Sequence, residues 1–558
     1  MKKVKYILGC AATIAMLATA CSKIEEVPGD TADKPKFTDK SKVLVIVVDG
    51  LAGKQVKAVA PPVITQMLAH STYSYDTRAD TVTTDGASLA TLYTGVPYAK
   101  NEIRDSSLVA RSTSGARYAP FLSLIKKTGK RALKTISVTA WDAVNKTLLA
   151  DATTKVTTKD DDKAVLDSAV NRLKNDSLDL MFVQFNGINK AGKQYGYYSY
   201  IPEYAAAINQ VDAYIGELLK TINSRPDYQN ENWLVIVQST HGGLDKSYGS
   251  DSDAEMNSFS LYYCPDLFRY QIDQPQTIPA SIKFNEQNEK TVNAVLNDAT
   301  AYNFGAPSSA NQFTVECKVK TPKGSNPTYP GFLSKRASFA AGQVGWTFFQ
   351  EGSYWMINLS GTGATKNLQA KGADINDGNW HHLTCVFATK ANNVRVCSTY
   401  TDGKYNNAVT VTEFGNLNST APLTIGFIPG SINTPVTIYM ADVRIWNDTL
   451  PAATIAAFSC TNVLDQHPYL SKLVGWWPVN ERKGNVLRNA VPAAAGKDFK
   501  VNGTFTWEAM NYVLPCAGNA DKQNPPNNTD LCYQIAYWLN LDLNPDWEIG
   551  GRLWLKFF

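Results

Sequence analysis

Histidine is scarce in this sequence: 558 residues hold five, His70, His241, His381, His382 and His467. A centre that grips two transition-metal ions through several imidazoles is hard to assemble from so few. Cysteine is sparse too, nine in all with no Cys-x-x-Cys pair, which excludes zinc ribbons. Charge of one sign does not accumulate. The net charge is +4, and Lys2, Lys3 and Lys5 fall in a leader read below as removed, so no nucleic acid or other polyanion is expected as a partner. After the leader, no apolar run is long enough to cross a bilayer. The absence of internal repeats and long low-complexity tracts argues against a solenoid.

What is present begins with the leader. Met1-Lys2-Lys3-Val4-Lys5 precedes an apolar stretch from Tyr6 to Leu17, then Ala18-Thr19-Ala20-Cys21. A basic start, a short apolar run and small residues make a secretory signal over 1–20. Small residues running into cysteine resemble a bacterial lipoprotein processing site, which implies acylation of Cys21 and a membrane anchor there. Ala18 stands where leucine is commoner; cleavage after Ala20 with Cys21 as an ordinary residue is the other reading. Ser22-Lys23-Ile24-Glu25-Glu26 resembles the acidic tag that sends some Gram-negative lipoproteins to the outer face. The expected location is therefore the outer membrane, facing the exterior. Residues 21–40, with Pro28, Gly29 and Pro35, read as a tether.

From 41 to 280 strands and helices alternate. Val43 to Val48 is a continuous β-branched run, the mark of a strand buried on both faces of a parallel sheet. Leu180–Phe185 and Trp233–Val237 read alike. Pro202 to Ile222 has helical spacing, with Ile208, Val211, Ile215, Leu218 and Leu219 on one face. This predicts an α/β fold with a mostly parallel sheet and helices on both faces. Between 285 and 455 the pattern changes to short period-two strands and turn signals such as Thr401-Asp402-Gly403-Lys404, a β-sandwich. Residues 456–517 read as a connector, and 518–558 turn helical again around Asp530 to Leu541. Cys385 and Cys397 lie on apparent neighbouring strands, either as a disulfide or as two buried thiols.

The sandwich segments Phe313-Thr314-Val315-Glu316, Gly378-Asn379-Trp380-His381-His382-Leu383-Thr384 and Ile438 to Trp446 resemble laminin-G-like, concanavalin-type modules. That resemblance implies a glycan or protein ligand. It admits calcium, although nothing in the residues calls for it. His381 and His382 are adjacent on a strand and point to opposite faces, so structural roles are expected. Trp476-Trp477 suits either buried packing or a sugar-stacking platform.

Val43 to Gly50, Ser88 to Val96, Phe182 to Gly196 and Val235 to Gly243 resemble, in order and spacing, the alkaline phosphatase superfamily. The nearest branch is the type I phosphodiesterase and nucleotide pyrophosphatase group. Residues 528–551 resemble its closing helix and strand, which makes the sandwich an insertion within the α/β domain. The resemblance implies two zinc ions on aspartates and histidines, with a Ser or Thr nucleophile, in phosphate or sulfate ester hydrolysis. Mapped onto this sequence, Asp49 matches the first ligand, and the nucleophile falls on Asp85 with Thr84 beside it. The Asp-x-x-x-His pair falls on Asn189 and Lys193, the Asp-His pair on Thr240 and His241, and the last histidine on Tyr248. Asp49 and His241 alone remain as ligands. Lys193 is expected beside Asp49, a cation where a metal would sit.

These residues predict a catalytically inactive, phosphodiesterase-like surface lipoprotein with no cofactor. It would act in binding or assembly of a glycan or protein ligand beside an outer-membrane transporter. The alternative is a metal-dependent phosphodiester or sulfate ester hydrolase, with Thr84 or Ser88 as nucleophile and zinc on Asp49 and His241. A purely structural partner is the third reading.

Overall fold

The run Val43 to Val48 feeds two cores at once. Leu44, Ile46 and Val48 join one buried cluster, while Val43, Val45 and Val47 join a second on the opposite face. Alternate side chains of a strand point to opposite faces, so covering both faces requires an unbroken apolar run. The computed structural model describes residues 40–558 apart from 129–131, 285–291, 309–310, 326–327, 429–436, 463, 465–466, 495, 517–521, 523 and 556–558. The leader, Cys21 and all but the last residue of the tether lie outside the described residues.

The first sheet holds β1 (Ser41–Val48), β2 (Ser71–Arg78), β3 (Thr135–Thr139), β4 (Thr154–Thr157), β5 (Leu180–Phe185), β6 (Asn232–Ser239), β7 (Asn257–Tyr263) and β8 (Tyr270–Gln271). Their order is β4-β3-β5-β1-β6-β7-β2-β8. The first five in that order are mutually parallel, and β7 runs antiparallel to both β6 and β2. The helix Pro202–Asn223 buries Ile208, Val211, Ile215, Leu218 and Ile222 on one face of the sheet. On the other face, Leu89, Leu92 and Tyr93 of the helix Asp85–Thr94 pack with Leu531, Ile535 and Trp538 of the helix Asp530–Trp538. The C-terminal segment therefore completes the core of the first domain. This is the expected α/β fold with its late closing piece.

The inserted part is an all-β antiparallel sandwich of two large sheets around one apolar core. It is wider than 285–455. Thr277–Phe284 pairs with Ile438–Trp446 and with Trp507–Val513. The stretch 456–517 also does more than connect: it supplies the strands Leu473–Trp477, Val486–Leu487, Phe499–Asn502 and Trp507–Val513 to the sheets. These strands are short or at sheet edges and pair with residues far away in the chain, so local pattern conceals them.

Within the sandwich, Cys385 stands opposite Thr399, and Cys397 opposite Phe387, so the two are diagonal neighbours. Both are buried free thiols, while Cys460 and Cys516 form a disulfide. Trp477 lies in the apolar core, and Trp476 donates its indole N–H to Asp442 Oδ1 at 2.8 Å. Of the two readings, packing is the one these contacts carry. His381 bridges Asp402 at 2.8 Å and Asp377 at 3.0 Å, which pushes its pKa up to about 9 against the opposing effect of burial. His382 is buried beside Glu316.

Four charged residues, Glu316, Lys318, Asp442 and Arg444, are buried together in the sandwich. Lys318 and Arg444 both reach Asp442, and Trp446 donates to Glu316 Oε2 at 2.8 Å. Lys318 and Arg444 also reach the Thr461 carbonyl.

Candidate active site cleft

The C-terminal ends of β1, β5 and β6 lie side by side, the edge at which α/β sheets place their ligands. Asp49 follows β1, the helix Gly187–Tyr195 follows β5, and Thr240 and His241 follow β6. Gly50 must be glycine: its φ is +74°, and a Cβ there would lie 2.8 Å from the Asn189 Cα.

Asp49 is 5% exposed, and its Oδ2 accepts from Gln184 Nε2 at 2.8 Å. Oδ1 is buried with no hydrogen-bond partner among the described residues. Burial, then the nearby Asp85 charge, push the Asp49 pKa up to about 7.

Asp85 is the hub. Oδ1 accepts from Asn189 Nδ2 at 3.0 Å and faces His241 Nε2 at 3.2 Å, while Oδ2 accepts the Tyr248 hydroxyl at 2.7 Å. Burial raises its pKa, but His241, Tyr248 and Lys193 outweigh that and hold it below the usual carboxylate value. Asn189 is itself oriented by Tyr197, whose hydroxyl donates to Asn189 Oδ1.

The orientation of His241 follows from its neighbours. Nδ1 lies 2.6 Å from the Gly242 carbonyl, which can only accept, so Nδ1 carries hydrogen. Nε2 faces Asp85 Oδ1, and the ring is fully buried and stacked on Tyr248 with ring centroids 4.3 Å apart.

The remaining predicted residues serve the backbone or solvent. Thr84 caps the helix Asp85–Thr94 and donates to the Arg104 carbonyl. Ser88 is fully buried in that helix. Thr240 Oγ1 accepts from the Gly50 N–H at 3.2 Å, and its carbonyl accepts from Asn528. The expected pairing of Lys193 with Asp49 is not found. Lys193 is exposed, its Nζ lies 5.6 Å from the Tyr248 ring centroid, and its charge acts on Asp85. Lys193→Ala should therefore cost no more than about 1 kcal/mol in urea unfolding, the scale of an exposed cation–π contact.

A two-zinc centre does not fit these residues. A carboxylate held by Asn189, His241 and Tyr248 occupies the nucleophile's place, and amide, ammonium and hydroxyls fill other ligand positions. Among the described residues, no group of three or more His, Cys, Asp or Glu could hold a metal ion. Gln184 and Tyr197 were missed in the sequence. Gln184 left a signal, as a lone polar residue in the buried strand Leu180–Phe185; Tyr197 left none.

Residues 43–303 match the family model for type I phosphodiesterase / nucleotide pyrophosphatase. Residues 277–456 match the laminin-G model of the concanavalin A-like lectin/glucanases superfamily. Residues 463–555 match a domain of unknown function, DUF4983. No curated protein matches the chain. Among solved structures, murine ectonucleotide pyrophosphatase / phosphodiesterase 5 is similar at 17% identity, over 37% of this chain and 59% of that one, with a TM-score of 0.32. A putative sulfatase from Bacteroides thetaiotaomicron gives 14%, 41%, 66% and 0.34 for the same measures. A putative carbohydrate binding protein from Bacteroides ovatus gives 10%, 48%, 77% and 0.30. The chain thus spans less than two thirds of the first two.

Proposed function

From an α/β domain of the alkaline phosphatase superfamily with a concanavalin-like sandwich set into it, we propose a protein that works by binding rather than by hydrolysis. The observation that carries this reading is Asp85. An attacking group must present a free lone pair to substrate, activated by a base or a metal. Asp85 instead stands at the nucleophile's place as a carboxylate held by His241, Tyr248 and Asn189.

In this reading the chain is held on the outer membrane through acylated Cys21, with the sandwich presented outward. A glycan is the ligand its concanavalin-like family supports, and a peptide is the other candidate. An outer-membrane transporter is the partner proposed from the acidic tag after Cys21.

The test is metal content by mass spectrometry on residues 40–558, purified without a histidine tag and dialysed against micromolar zinc. Below roughly 0.2 zinc per chain is expected, against the roughly two of a working centre. The same preparation should leave phosphodiester and sulfate ester substrates intact. One or two tightly held zinc ions with turnover would overturn the proposal in favour of a hydrolase.

A further inference from the structure

One turn of the sandwich reaches across to the loop that carries Tyr248. Between the strands Leu473–Trp477 and Val486–Leu487, Lys483 donates to Glu255 Oε1 at 2.5 Å and to Ser250 Oγ at 2.8 Å. Glu255 is fully buried, and its other oxygen accepts the hydroxyls of Ser250 and Ser252. A buried carboxylate needs such a partner, and among the described residues Lys483 supplies the one cation bonded to it.

The loop held in this way has two further ties. The Glu255 carbonyl accepts the N–H of Gly242, the residue after His241, at 2.8 Å. The Thr83 hydroxyl donates to the Ser250 carbonyl at 2.7 Å and accepts the Gly249 N–H at 2.8 Å. Thr83 lies two residues before Asp85. Residues 247–255 are thus fastened to the Asp85 loop, to the His241 loop and to the sandwich. Nearby, Arg488 pairs with Asp245, whose Oδ1 accepts the Tyr198 hydroxyl.

The backbone of the turn points the same way. Val479 has φ +59° and Arg482 φ +60°. A β-branched residue rarely adopts that conformation, which persists where surrounding contacts over-determine it.

We infer that Lys483 is a positioning residue for the cleft: through its ammonium the inserted sandwich holds the Tyr248 loop against Asp85. The cleft's closed arrangement then depends on the insert, whether or not the cleft hydrolyses anything. Hydrogen exchange on the full chain tests this with Lys483→Met. Exchange at the Gly242 and Gly249 amides should rise about tenfold or more while β1 and the strand Trp380–Thr389 stay protected. Lys483→Arg, which keeps the charge, should restore most of the protection. Unchanged exchange in Lys483→Met overturns the inference. Should that variant fail to fold, the double variant Lys483→Met with Glu255→Gln leaves no unpaired buried charge. Fast exchange at Gly249 in the double variant supports the tie, and wild-type protection there overturns it.

Discussion

Asp49→Asn is expected to stabilise the chain by about 2 to 4 kcal/mol near pH 8, and hardly at all near pH 4. The carboxyl is buried, one oxygen lacks a partner, and its pKa rises from 3.8 to about 7 on folding. The folded state therefore keeps a proton that the unfolded chain releases. Below the unfolded value both states are protonated and nothing is lost. As the pH climbs to about 7 stability falls, and above that the whole penalty remains, about 4 kcal/mol at 1.36 per pKa unit. Asparagine removes the titration, and its carbonyl can still accept from Gln184. Urea unfolding of both proteins across this range should show curves that meet at acid pH and separate at alkaline pH. In a zinc enzyme the same change would strip a ligand and destabilise the protein, so a loss of stability near pH 8 would contradict both the unpaired carboxylate and the binding role.

The second large effect belongs to the sandwich. Asp442→Ala should cost about 4 kcal/mol or more, or prevent the sandwich from folding. Asp442 is 3% exposed and takes bonds from Lys318, Arg444 and Trp476. Burial opposes its ionisation, yet Arg444 and Lys318 hold its pKa far below the usual range. Alanine would leave two buried cations facing Glu316 alone. It would also place a Cβ without a polar side chain at φ +53°, a conformation that aspartate tolerates better. Urea unfolding followed by tryptophan fluorescence measures the loss, because Trp476 loses its acceptor. A cost below about 1 kcal/mol would show that water reaches these charges.

Much of the fold is legible in the sequence, for definite reasons. The strand Val43 to Val48 announces itself because both its faces are covered. The helix after Pro202 does so because its apolar positions repeat at 3.6 residues. Asp49 was legible from its place at a strand end. The failures also have physical causes. Lys193 lies four residues after Asn189 and so shares its helix face, but spacing does not show how far a side chain of that length reaches or what lies beyond it. The four strands between Leu473 and Val513 are paired by registers that no local pattern encodes. Lys483 and Glu255 are separated by 228 residues, and only the folded chain brings them together.

The helix Asp530–Trp538 has a bearing on how the chain is made. It closes one face of a sheet whose last strand ends at Gln271. Roughly 260 residues intervene, on the order of tens of seconds at ribosomal speed. The sandwich, with strands from Thr277 to Val513, has all its parts before that helix is translated. The inserted sandwich can therefore be complete while the domain that surrounds it still lacks its closing helix. Until the final turn arrives, Leu89, Leu92 and Tyr93 have no cover from Leu531, Ile535 and Trp538. A sheet in that half-finished state would expose apolar surface, which favours aggregation.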